Sequence, residues 1–130
     1  LVTDICDLPL QDNQYDLILC NHVLEHIPND LKAMTELYRV LKKGGTLIAQ
    51  VPLNEENTKT LENDSINDPR DRTRFFGQYD HVRIYGQDYY KRLKSVGFSV
   101  EGVFLQSQLT TEEIKRYVLP QKEKIPVMRK

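Results

Sequence analysis

Tyr15-Asp16-Leu17-Ile18-Leu19-Cys20, followed at once by Asn21-His22-Val23-Leu24-Glu25-His26, is the stretch on which the fold turns. The first six residues form a short, almost continuous apolar run behind the turn-forming Gln11-Asp12-Asn13-Gln14. That pattern suits a strand covered on both faces, as in a parallel sheet. Working downstream, Leu31, Met34, Leu37, Tyr38 and Leu41 recur at helical spacing, with Asn29 or Asp30 placed to cap the N-terminus. Lys42 and Lys43 suit a helix C-terminus, and Gly44 suits a left-handed cap, so the spacing predicts a helix ending there. A second strand is expected over Thr46–Val51, stopped by Pro52.

Residues 54–85 break the pattern with dense charge, Asn and Asp, and few apolar side chains before Phe75, Phe76 and Tyr79. A connection this long in a compact domain usually carries function, so it reads as a lid or substrate-side insertion. Arg70, Arg72 and Arg74 alternate with acids there and read as a solvated face. A helix resumes near Asp88, with Tyr89, Leu93 and Val96 on one face and Gly97 as its stop. Phe98–Glu101 alternates like a half-exposed or edge strand continuing to Leu105. Thr110 and Glu113 form a capping box for a short helix to about Leu119. A last strand runs through Ile125, Val127 and Met128; Pro126 removes one donor, so pairing there is one-sided or bulged. The order predicts a single α/β domain over 1–130, parallel at its start and antiparallel at its end. Ligands then bind beyond the carboxyl ends of the strands, at Asn21–His26 and at Pro52-Leu53-Asn54.

Composition narrows the function classes. The chain has 130 residues, with 18 basic and 19 acidic side chains. A near-neutral balance argues against a general electrostatic nucleic-acid binder. No apolar run nears the ~20 residues that span a bilayer. Cys6 and Cys20 lie in no CxxC pattern, so reduced, mostly buried thiols and a cytoplasmic location are expected. The chain opens at Leu1 in apolar sequence, which reads as an internal start.

Three blocks, Asp4-Ile5-Cys6-Asp7-Leu8-Pro9, Tyr15 to Ile27, and Arg39-Val40-Leu41-Lys42-Lys43-Gly44-Gly45-Thr46-Leu47, are ordered and spaced as in the second half of class I S-adenosylmethionine-dependent methyltransferases, which they resemble. Tyr79-Asp80-His81-Val82-Arg83-Ile84-Tyr85-Gly86 and Ser95-Val96-Gly97-Phe98 are similar to later parts of that superfamily. The resemblance implies an incomplete Rossmann-like sheet, mostly parallel with an antiparallel C-terminal strand and helices on its faces. Tyr15–Cys20 would be the fourth strand and Thr46–Val51 the fifth. It implies S-adenosylmethionine as cofactor and a small-molecule methyl acceptor. The chain contains no GxG turn, so the chain alone is expected to be inactive.

By the same resemblance, Asp4 accepts a hydrogen bond from the adenine amino group, Ile5 stacks on the ring, and Asn21 and His22 line the methionine end. His26 is the candidate general base, because imidazole titrates near neutrality; the alternative is a histidine packing the start of the helix. Glu25 either orients His26 or faces solvent. His81 and Arg83 either hold a polar or anionic acceptor or tie the lid to the sheet. His22, Glu25 and His26 also spell the H-x-x-E-H of inverted zinc peptidases, although Pro28 makes a sustained helix there doubtful. Some quinone-pathway O-methyltransferases carry an acid-x-x-Glu-His metal cluster, but here His22 stands in place of the first acid, and no metal is assigned on this reading. The segment Cys20-Asn21-His22-Val23 is not the Asn-Pro-Pro-aromatic sequence of amino-methylating relatives. A non-catalytic binding module of the same shape is the alternative of a different class. Finally, the fourth strand normally pairs with a strand not in this sequence, so a homodimer through its exposed edge, or an exchanged element, is expected.

Overall fold

A computed structural model describes residues 3–104, 109–118 and 124–130, and shows an α/β arrangement built on a four-stranded mixed sheet. Strand β1, Tyr15–Leu19, is launched from a turn in which Asn13 takes a left-handed conformation (φ 54°), which Asn tolerates better than most residues. A single 3-10 turn, Leu24–His26, precedes helix α1, Asp30–Val40. The Asn29 side chain accepts from the Lys32 N–H at 3.1 Å, as an N-cap should. Ala33, Met34, Leu37 and Val40 form the buried stripe of α1.

Strand β2, Leu41–Ile48, follows without a loop. The helix therefore ends four residues before the expected glycine cap. Leu41 is already extended (φ −75°, ψ 136°), and its side chain is fully buried. Gly44 does have a left-handed φ of 79°, but inside β2, where the register slips. Tyr15 pairs with Leu41 and Leu17 with Thr46, so five steps of β2 answer two of β1. The helix C-terminus is closed from elsewhere: the Lys130 ammonium donates to the carbonyls of Tyr38 and Arg39, at 2.8 and 3.2 Å. Lys42 instead pairs with Asp16 at 2.7 Å.

The lid has its own order. Strands β3, Leu61–Glu62, and β4, Arg83–Ile84, pair antiparallel and bracket helix α2, Pro69–Phe76. Asp68 caps α2 through the N–H groups of Arg70 and Asp71, Pro69 takes the first helical position, and Gly77 closes it at φ 85°. Helix α3, Tyr89–Ser95, leads through Gly97 (φ 115°) into β5, Ser99–Phe104. The capping box of Thr110 and Glu113 starts α4, Thr111–Arg116. Leu105 and Leu119, where the strand and this helix were expected to reach, lie outside the described residues. Strand β6, Lys124–Arg129, returns antiparallel to both β2 and β5, giving the order β1-β2-β6-β5. At Pro126 the pairing is one-sided: its partner is Gly102 of β5, while the β2 ladder stops at Val127. The core between sheet and helices is formed by Leu24, Met34, Leu41, Leu47, Tyr85, Tyr89, Leu93 and Met128, each at most 1% exposed.

Candidate functional site

The chain does not leave the sheet when β1 ends. Cys20 N–H donates to Ile48 O, His22 N–H donates to Gln50 O, and Asn21 Oδ1 accepts from Gln50 N–H. His22 then takes a left-handed φ of 55°, a conformation that costs a non-glycine residue about 1–2 kcal/mol. That bend throws the chain into the 3-10 turn, where Leu24 and Glu25 are buried. Helical H-x-x-E-H geometry is therefore absent: His22 stands before the turn, with its side chain 65% exposed.

The lid holds this loop in place. Arg83, only 3% exposed, donates through its guanidinium to the carbonyls of Leu24, Ile27 and Pro28, and its Nε donates to Glu62 at 3.0 Å. Val82 N–H donates to Glu25 O at 3.0 Å. The expectation that Arg83 receives an acceptor is corrected by these contacts: its donor fork is spent on backbone. His81, also expected at the acceptor, is buried, and its Nδ1 lies 3.2 Å from Phe76 O. A carbonyl only accepts, so Nδ1 is the donor in this contact.

His26 lies against both groups. Its Nδ1 is 3.3 Å from Asp80 Oδ2, its ring meets His81 edge-on at 4.7 Å, and its Nε2 faces Glu25 Oε1 at 3.9 Å. A hydrogen bond from Gln78, with His26 nearby, holds the Asp80 carboxyl below its ordinary range. Glu25 does not face solvent; it is 1% exposed, and its Oε2 has no hydrogen-bond partner among the described residues. Glu25, His26 and His81 thus offer three ligand atoms, all within 4.8 Å of one another. Burial, with Glu25 adding, pushes the neighbouring Cys20 thiol up to about 11, so it stays a thiol at neutral pH.

Asp4 is exposed, with Oδ1 accepting from Cys6 N–H at 2.8 Å. Cys6 Sγ is 3.5 Å from Asn29 O, which places this turn at the N-terminal end of α1, beside the end of the His26 loop. Ile5 packs half-buried on the core. Glu36 and Arg39 strap the following residues onto α1, through Leu8 N–H and the carbonyls of Leu8 and Leu10. Beyond the carboxyl end of β2 lies a cleft of about 740 Å³, lined among others by Pro52, Leu53, Asn54, Tyr89 and Pro126. The two loops singled out in the sequence both stand at the carboxyl edge of the parallel pair. Asp80 was missed; the sequence sign of it was its place directly before His81.

Comparison with known proteins agrees with this geometry. Residues 1–49 match a family described as "Methyltransferase domain". The sequence is 49% identical over 51 residues to an uncharacterized protein of Methanocaldococcus jannaschii, covering 39% of this chain and 22% of that protein. It is 44% identical over 41 residues to the demethylmenaquinone methyltransferase of Lactiplantibacillus plantarum, covering 32% and 17%. The crystal structure of an S-adenosylmethionine dependent methyltransferase from Mesorhizobium loti superposes with a TM-score of 0.60 at 15% identity, over 98% of this chain and 67% of that one. At that identity the likeness shows the fold. The matched segments span about a fifth of the curated relatives. The family match thus covers the first 49 residues, and over the rest of the chain the likeness to methyltransferases is one of fold.

Proposed function

We propose that the intact protein transfers a methyl group from S-adenosylmethionine to a small-molecule acceptor, and that this chain forms the acceptor-side part of the domain. The observation that carries the reading is the folded loop Cys20–Asn29, held at the carboxyl edge of β1 by backbone bonds to β2 and by Arg83. Asp4 and Ile5 fit an adenine: an exposed carboxylate for the amino group beside a half-buried aliphatic side chain, both near the start of α1. When bound, S-adenosylmethionine supplies an electrophilic methyl group. Asn21 and His22 line the methionine end, and His26 takes the acceptor's proton on Nε2 while Asp80 stabilises the resulting imidazolium. The cleft beyond β2 takes the body of the acceptor, with Tyr89 and Pro126 as apolar walls. His81 and Arg83 act on the acceptor only by holding the loop and lid. The protein acts in the cytoplasm without nucleic acid or membrane, consistent with the formal charge of −1; no helix among the described residues is long and apolar enough to cross a bilayer.

Isothermal titration with S-adenosylhomocysteine tests the cofactor assignment, comparing this chain with a form extended upstream. Weak or absent binding by the chain and micromolar-class binding by the extended form is the expected result. Silence in both would instead favour a methyltransferase-shaped binding module.

A further inference from the structure

We propose that Glu25, His26 and His81 form a binding site for a divalent first-row transition metal of the zinc or ferrous class. The inference goes beyond the methyl-transfer reading and does not depend on it. Three independent features converge. Glu25 is a carboxylate 1% exposed with Oε2 unpartnered among the described residues, and leaving such a group empty costs at least about 1–3 kcal/mol. Its nearest ring nitrogens, His22 Nδ1 at 3.5 Å and His26 Nε2 at 3.9 Å, contact Oε1 and are at or beyond hydrogen-bond range. Oε2 is left for something else.

The second feature is the state of the two histidines. His26 Nδ1 faces Asp80 Oδ2, and His81 Nδ1 faces Phe76 O. Each Nδ1 is thereby engaged by an acceptor, and Nε2 is the nitrogen that each ring has for ligation. Metal-bound histidines are oriented in this way, by a carboxylate or a carbonyl on the far nitrogen. The third is the donor set. Two imidazole nitrogens and one carboxylate oxygen suit zinc or ferrous iron and leave positions open, whereas magnesium and calcium prefer oxygen cages.

The three ligand atoms lie within 4.8 Å of one another; a tetrahedral zinc brings its ligands to about 3.3 Å apart, so the side chains close by up to about 1.5 Å on loading. His26, with a side chain 28% exposed, is the side from which an ion enters. Cation and proton compete for the same His26 lone pair, so the loaded site takes His26 out of proton transfer.

The test is equilibrium dialysis of the purified, metal-stripped protein against zinc chloride, with stoichiometry by elemental analysis and the cobalt(II) absorption spectrum as a second readout. We expect one zinc per chain and no competition from millimolar magnesium. His81→Ala and Glu25→Gln should each weaken binding by more than about 100-fold, and Asp80→Asn by about 10- to 100-fold. His22→Ala should leave binding unchanged. His81→Gln, which keeps the side-chain bulk, should lose zinc while retaining the wild-type circular dichroism. No zinc on the wild type, full binding by His81→Gln, or equal loss in His22→Ala would each overturn the site. The readout involves neither cofactor nor acceptor, so its failure leaves the methyl-transfer reading standing, and the converse also holds.

Discussion

Glu25 is the residue at which the empty protein gives up stability. A purely structural glutamate would have its oxygens satisfied, and its amide replacement would weaken the fold. Here Oε2 is buried without a partner among the described residues, so Glu25→Gln should leave the metal-free protein as stable as wild type or raise it by up to about 1 kcal/mol in urea melts. A clear loss of stability would mark Glu25 as structural. Arg83 predicts the opposite. Its replacement strands the carbonyls of Ile27 and Pro28, while Glu62 keeps its bonds from Arg92 and Leu24 O keeps Tyr85. Arg83→Met should therefore cost about 1–3 kcal/mol for the buried carbonyls it leaves unsatisfied, and Arg83→Lys nearly as much, because an ammonium cannot match the planar fork. The sequence singled out His26, His81 and Arg83. It did not separate ligand from clamp, because that depends on which atoms a buried guanidinium meets 55 or more residues away.

At the level of elements, the strap that holds Leu8 and Leu10 on α1 is ionic. The hydrogen bond from Arg39 holds the Glu36 carboxyl down at about 2, from an ordinary value of 4.5. A depressed folded-state value means that the contribution is present above pH 4.5 and is lost as pH falls toward 2. The stability gap between wild type and Glu36→Gln should therefore vanish over that window in pH-resolved thermal melts. Helix α2 is the element that hydrophobic periodicity missed, since only Phe76 of its eight residues is buried. Its punctuation was present in Asp68, Pro69 and Gly77. Asp68→Ala should cost about 0.5–2 kcal/mol, with faster amide exchange confined to the lid. The α1 boundary was misplaced for a different reason. Lys42, Lys43 and Gly44 have the composition of a helix end, but Lys130, 91 and 92 residues beyond the carbonyls it caps, supplies the cap, and burying Leu41 draws the chain into the sheet early.

Over the whole molecule, the parallel start and antiparallel end followed from the family resemblance, and the one-sided ladder at Pro126 was one of two readings of that proline; the place of β6 between β2 and β5 did not follow, and β1, expected to be covered on both faces, is exposed on one. What did not follow was contact between distant segments, the 3-10 turn with the lid above all, since no local pattern encodes it. Strand β1 is an edge among the described residues, with Tyr15, Leu17 and Leu19 36%, 54% and 64% exposed. An uncovered apolar edge invites another strand, and we propose that the isolated chain forms a homodimer there. Light scattering should give twice the chain mass, and Leu17→Lys should return it to the monomer. A monomeric wild type at micromolar concentration refutes this.

The grip of Arg83 on the turn has a mechanical corollary. A hinged cover that swings away normally exposes a finished cavity beneath it. Here the cover carries the keystone of the arch below, so lifting residues 77–85 would collapse Cys20–Asn29 as well. Traffic must then pass by the rim beyond β2, and protease nicks in the cover should appear together with nicks in the arch, never ahead of them.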